Sequence, residues 1–444
     1  MSSTGGGISS YIGGKAAAVV VIVALGGGAI IVPAVSGGGG GTVANLWVDT
    51  NGGTCTRQGT AGAYSDAGAC ANLNSAWQAA SNGDTILIKA GTYGTQATIA
   101  ARSGQASPAV TMDAAPGEGV TIKEMDLDGS AWLTIKGITV VPAASGGDPN
   151  TELFGMKHVH DITVDGVTVD GRFGGTSQSR DLFDINGDTQ RVTVKNSDIG
   201  HNVDAKIFKI QTACSPACTV QNTDTLIDHN VFHDNVQGIA HLECMWLEGW
   251  SNLTVSRNHF YDCSLNAEVA QDNETGAFNN LLWSQNIMEA ADAGTGGAGL
   301  DFDGSCAQMA GQGMSNWTFE YNRWYNTSFL GGCNSTIGAQ TTWRGNIGGT
   351  GDFTCAPSAT YLFNVWQAKD CSASDVLDAT INDDAQFVAP KANEATGMGD
   401  YHPASCSSGG IGKGYTSSFP TTDADRSSRP VGTVDAGPYE KTGC

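Results

Sequence analysis

Charge is scarce in this chain, and positive charge scarcest. Only 15% of the 444 residues are charged, and 22 Lys and Arg face 44 Asp and Glu, a net charge of −22. So few basic residues exclude a nucleic-acid partner, which requires a basic footprint. They leave cations, neutral glycans, or anionic glycans gripped by a few local Lys and Arg. Low charge together with 61 glycines also disfavours long solvated helices and suits many short strands. Cysteine is absent from the first 50 residues, and the close pair Cys214 and Cys218 has neither a second pair at zinc-ribbon spacing nor a nearby His, so it is not read as a zinc ribbon. Aromatic residues are not lacking: 10 Trp, 10 Tyr and 14 Phe spread over the chain, which argues against disorder.

Long apolar runs are missing too, apart from residues 16–36. Lys15, the run itself and the small-residue ending Ala34-Val35-Ser36 read as a secretory signal. The run is also long enough to span a bilayer as an uncleaved anchor, although Gly26, Gly27 and Gly28 weaken a membrane helix. A glycine-rich linker follows, over 37–44. The twelve cysteines behind it suggest disulfides between sequence neighbours: Cys55 with Cys70, Cys214 with Cys218, Cys244 with Cys263, Cys306 with Cys333, Cys355 with Cys371, and Cys406 with Cys444.

What is abundant is repetition. One phrase, an alternating apolar run that breaks at Gly or Asn, returns with pivots at Gly137, Gly166, Asn196, Asn230, Asn258, Asn286, Asn322 and Asn346. The intervals of 29, 30, 34, 28, 28, 36 and 24 residues are one supersecondary unit each, and the alternation is that of strands. The expected fold is an all-β, single-stranded solenoid over 45–444, with repeats from about 85 to 370 and a closing segment over 371–444. Stacked coils make equivalent residues neighbours, so the Asn pivots are expected to take the left-handed bend and to bond to one another as a ladder. Before the first coil, Leu73, Ala76, Trp77 and Ala80 fall on one face of a short helix within 71–83 that is expected to cap the open end.

The phrase AWQAASNGDTILIKAGTY, the coil AVTMDAAPGEGVTI and the closing GDYHPASCSSGGIGKGY with RPVGTVDAGPYE closely resemble secreted right-handed parallel β-helix proteins of the pectate-lyase-like superfamily. The resemblance implies fold and export. Its members include lyases, hydrolases, epimerases and non-enzymatic adhesins, so it does not select an activity.

Candidate chemistry lies on the strands between pivots. If Phe183 and Ile185, Phe208 and Ile210, Leu242 and Cys244, and Leu300 and Phe302 point inward, then Asp184, Lys209, Glu243 and Asp301 form one outward column, joined by His241 and Asp303, with a coil near Glu268 between the last two rungs. β-Elimination of a uronate polysaccharide needs its carboxylate neutralised and an acidic proton removed. Lys209 or His241 would be the base, and Asp184, Glu243, Asp301 and Asp303 would hold Ca²⁺, which prefers oxygen. Arg323 and Arg344, beside Trp324 and Trp343, are candidates to meet sugar. The same column also reads as a charge ladder on a non-catalytic glycan-binding or cell-surface protein. Glycoside hydrolysis ranks third, because clustered hydrolase motifs are lacking. His229 and His233 read as turn and surface residues. The expected partner is an extracellular polysaccharide, the membrane only if residues 16–36 stay attached, and the expected state a monomer.

Overall fold

The computed structural model describes residues 42–95, 98–144, 152–203, 205–211, 222–235, 243–269, 278–289, 298–302, 314–325, 327–331, 340–349, 355, 358–368, 370–390 and 398–444. The expected export segment lies outside them, as do Cys214, Cys218, Cys306 and Cys333. Among the described residues no helix is long and apolar enough to cross a membrane.

Each coil carries three strands, one more than the repeat suggested. Phe154–Lys157, His160–Asp165 and Thr168–Asp170 make one such turn, and each pairs in parallel with its counterparts on neighbouring coils. The result is three parallel sheets: sheet I of nine strands, and sheets II and III of twelve. Twelve rungs at the interstrand spacing span about 53 Å. The chain is a right-handed parallel β-helix.

Alternation decides the inside. Leu253 and Val255 on sheet II, Phe183 and Ile185 on sheet I and Phe232 on sheet III are all at most 1% exposed. Aromatic rings stack along the axis, as Phe183 on Phe208 and Phe319 on Trp343 do. The capping helix is Leu73–Ala79, inside the expected segment. The Asn72 side chain accepts from Ser75 N at its start, Ala80 caps its end, and Gly83 serves the next turn at φ +82°. It buries Leu73, Ala76 and Trp77. Four expected disulfides are formed: Cys55–Cys70, Cys244–Cys263, Cys355–Cys371 and Cys406–Cys444.

The pivots separate into two adjacent columns. Gly137, Gly166, Asn196, His229, Arg257, Gln285, Tyr321, Gly345 and Phe363 take the left-handed bend, with φ between +53° and +67°. The buried ladder is the residue after it: Asn230, Asn258, Asn286, Asn322, Asn346 and Asn364. Each amide nitrogen donates to the next coil's Asn Oδ1 and to a backbone carbonyl of the coil before, as Asn258 Nδ2 does to Asn286 Oδ1 and Ile227 O, both at 3.0 Å. The ladder begins at Ser197, whose N donates to Asn230 Oδ1. It ends at Asp375, whose Oδ1 accepts both Asn364 N and Nδ2 and whose Oδ2 accepts Trp366 Nε1 and Cys371 N.

The closing segment does more than cover the last coil, because it runs back along the bend column. Gly437 N donates to Gly345 O, Tyr321 Oη to Tyr415 O, Gln285 Nε2 to Thr422 O, and Arg426 Nη2 to Asn196 Oδ1. Buried Arg429 ties the segment together through Glu440 and the carbonyls of Asp435, Gly437 and Pro438.

Candidate functional site

Sheet I presents the least regular outer face. Its strands Phe154–Lys157, Phe183–Asn186 and Phe208–Gln211 bury Phe and a second apolar residue, which turns Gly155, Asp184 and Lys209 outward on successive rungs. Asp126 precedes them on Met125–Asp128.

After Lys209 the register differs from expectation. Lys209 pairs with Trp246, Trp246 with Glu268, and Glu268 with Asp301. Glu243 therefore leaves the column: Met245 and Leu247, rather than Leu242 and Cys244, are the inward pair, and Cys244 is buried by its bond to Cys263. Asp184 and Asp301 stand four rungs apart, roughly 19 Å at the interstrand spacing. Carboxylates that far apart cannot share one ion, so the expected Ca²⁺ set does not assemble. His241 and Asp303 lie outside the described residues.

The two arginines are engaged elsewhere. Arg323 is 1% exposed; its Nη2 donates to Ile381 O and Asn382 Oδ1, and its guanidinium packs 4.1 Å over the Phe387 ring. It fastens the closing segment and offers no surface to a polymer. Arg344 pairs with Glu320 on sheet II, away from Lys209. His229 occupies a left-handed bend, as read, but His233 is buried on Val231–Asn235 of sheet III, not on the surface.

What sheet I does bring together is a second group of carboxylates around Asp184. Two residues before each strand's Phe stand Glu152 and Asp181. Lys209 Nζ reaches Asp181 Oδ2 at 3.4 Å, and Lys157 Nζ reaches Glu152 Oε1 at 3.3 Å. Asp184 is 4% exposed; Gln211 Nε2 donates to its Oδ2 at 3.3 Å, while its Oδ1 is buried without a hydrogen bond. Burial raises the Asp184 pKa, Lys209 pulls it back, and Asp181 and Glu152 push it up again, to about 7. Burial and Glu152 raise Asp126 as well. Between these acids stands Gly155, whose lack of a side chain lets them close in: a Cβ there would stand 2.5 Å from Asp126 Oδ1 and 2.6 Å from Glu152 Oε1.

Asp126, Glu152, Asp181 and Gly155 were legible in principle. The phrases ELFGMK, DLFDIN and KIFKIQ share an aliphatic-Phe pair that sets a common register. Aligned on it, Glu152 and Asp181 fall in line beside Gly155 and Asp184.

The fold is similar to that of pectate lyase Pel9A, with a TM-score of 0.52 and 15% identity over 89% of this chain and 96% of that one. Weaker likenesses reach a rhamnogalacturonan lyase (TM-score 0.44, 11% identity, 80% of this chain and 95% of that one) and the PL6 family alginate lyase AlyGC (0.40, 13%, 74% and 54%). No protein-family model matches the sequence, and no curated protein matches it. At such identities a likeness shows the fold alone. The three parallel sheets and the likeness to Pel9A give this chain a right-handed parallel β-helix fold like that of Pel9A.

Proposed function

We propose that the protein is a secreted lyase that cleaves a uronate-containing polysaccharide by β-elimination on the outer face of sheet I, with Lys209 as the base. The observation that carries this is the pairing of Lys209 with a buried carboxylate, Asp184, whose Oδ1 has no hydrogen bond. A buried, incompletely satisfied carboxylate is costly unless something binds it. The four disulfides fit an extracellular protein, and a rigid rod suits an extended polymer.

Ca²⁺ fits the acids around Gly155 better than the column read from sequence. Asp126, Glu152 and Asp184 offer oxygen only, the Asp184 Oδ1 atom lacks a partner, and the absence of a side chain at Gly155 lets Asp126 Oδ1 and Glu152 Oε1 approach each other. The three do not yet bring ligand atoms within 4.8 Å of one another and would draw together on binding an ion. When bound, the ion would neutralise the sugar carboxylate and acidify the neighbouring proton. Lys209, held at its Nζ by Asp181 Oδ2, removes that proton from a sugar lying along the sheet; the carbon–carbon double bond forms as the bond to the glycosidic oxygen breaks, and that oxygen takes its proton from water. His241 remains the second candidate base.

Incubation with pectate, alginate and glycosaminoglycans, with Ca²⁺ or chelator, should produce the ultraviolet absorbance of an unsaturated uronate. Lys209→Ala should abolish it; because this side chain is only 16% exposed and paired with Asp181, retained folding is checked by circular dichroism. Absence of absorbance with every polymer, together with retained polymer binding, would replace the lyase by a glycan-binding protein. The ion pairs Lys157 with Glu152 and Lys209 with Asp181 support that second reading as an outer-face charge ladder.

A further inference from the structure

A separate cluster of metal-ligating side chains stands on the outer face of sheet III, where neither the repeat nor the proposed lyase chemistry uses it. Among the described residues, His201, His233 and Asp234 are the one group that brings three potential ligand atoms within 4.8 Å of one another. His201 Nδ1 lies 3.2 Å from Asp234 Oδ2, and His233 Nδ1 lies 2.5 Å from the same oxygen. Ligand atoms around a tetrahedral zinc ion stand about 3.4 Å apart, given bonds near 2.0–2.1 Å. The three donors are thus close to the spacing a shared ion requires.

We infer that His201, His233 and Asp234 form a binding site for a zinc-class divalent cation. Two further features point the same way. The other nitrogen of His233, Nε2, is held at 2.8 Å by Asp198 Oδ1. A carboxylate behind a ligating imidazole fixes its tautomer and makes it a better donor. The ring is also fixed in place: it stacks on Tyr261 at 4.9 Å, and it crosses the neighbouring rung at Gly200, where a Cβ would stand 2.5–2.7 Å from its ring atoms. Nearby, Arg172 is already committed to Asp170.

The chemistry selects the metal. Two imidazoles and one carboxylate suit zinc, copper or nickel, whereas Ca²⁺ and Mg²⁺ prefer oxygen shells. His201 and Asp234 keep side-chain exposures of 27% and 36%, so an ion can enter and a water or external ligand can complete the shell. A cation here replaces the proton that joins His233 to Asp234 and ties the coil of His201 to the coil of His233.

The test uses the full chain without a histidine tag, stripped with chelator and titrated calorimetrically with Zn²⁺ alone. The expected result is saturable binding of one ion, at least tenfold tighter than for Ca²⁺ or Mg²⁺. His201→Ala, at a half-exposed position where folding is retained by circular dichroism, should weaken it at least tenfold. Asp198→Asn should weaken it by roughly 10-fold, the usual effect of losing such a supporting group. Co²⁺ should give the visible absorption of a tetrahedral site in the wild type and lose it in His201→Ala. Lys209→Ala, on sheet I, should bind zinc as the wild type does, which keeps this test apart from that of the lyase. No saturable one-site binding, or unchanged affinity in folded His201→Ala, overturns the inference.

Discussion

Gly155 shows how much one missing methyl group can matter. An alanine Cβ would strike Asp126 Oδ1, Glu152 Oε1 and, at 2.7 Å, Glu152 Cγ, so both side chains must move. Gly155→Ala is therefore expected to cost about 1–3 kcal/mol of stability while displacing both acids and removing Ca²⁺-dependent turnover. Activity assays run well below the variant's melting transition check this. A second residue sets a pH dependence. Burial lowers the His402 pKa, but hydrogen bonds to Asp425 and Asp400 outweigh it and raise it to about 9 from 6.5. Such a group contributes stability that is complete below the ordinary value and lost as pH rises through about 9. His402→Gln should flatten that alkaline loss, as seen in melting temperatures measured across the window. The sequence showed Asp184 and Lys209 as outward neighbours because two clear apolar pairs flank them. It hid Arg323's true role, since an Arg beside an aromatic looks alike whether it meets solvent or lies under a later segment.

At the scale of the element, strands and ladders differ in how openly the sequence declares them. Alternation in sheet II is strict, so its strands could be read directly. Glu243–Glu248 is not strict: every residue in it is buried, and two apolar pairs compete for the inside. Choosing Leu242 and Cys244 placed Glu243 in Lys209's column, where the structure has Trp246. The pivots misled for a related reason. Bend and ladder are adjacent positions, and Gly137, Gly166 and Asn196 mark the first while the later Asn residues mark the second. The ladder's contribution can be measured. Asn286→Leu would leave buried Asn258 N and Val255 O without partners. At about 1–3 kcal/mol for each buried group left unsatisfied, it should cost about 2–5 kcal/mol in denaturant unfolding, well above the effect of an exposed substitution.

For the whole molecule, the closing segment joins coils that are distant along the rod. From Gly345 to Asn196 it passes five rungs, about 24 Å. In an array whose repeats touch only their neighbours, the ends are free to fray independently; this segment links them from the side. Arg429→Ala would leave Glu440 Oε2 and the carbonyls of Asp435 and Gly437 without their partner, while Pro438 O keeps Ala424 N, and, as with other broken buried ion pairs, cost the segment about 3–5 kcal/mol. Limited proteolysis should then cut within 404–444 while the sheets remain protected. Cleavage no faster than in the wild type would show that the segment is held by other means.

The Asn ladder also has a sense of direction. Every Asn passes its backbone N–H and one side-chain hydrogen toward the later coil's amide oxygen, like one-way couplings in a train, and the last vehicle is a carboxylate with nothing to pass on. Asp375 has both oxygens filled and no hydrogen to offer another rung. A duplicated coil inserted between Asn286 and Asn322 would find matching couplings on both sides, whereas one added after Asp375 would find none. The stack carries its own terminus, written in the change from one amide to one acid.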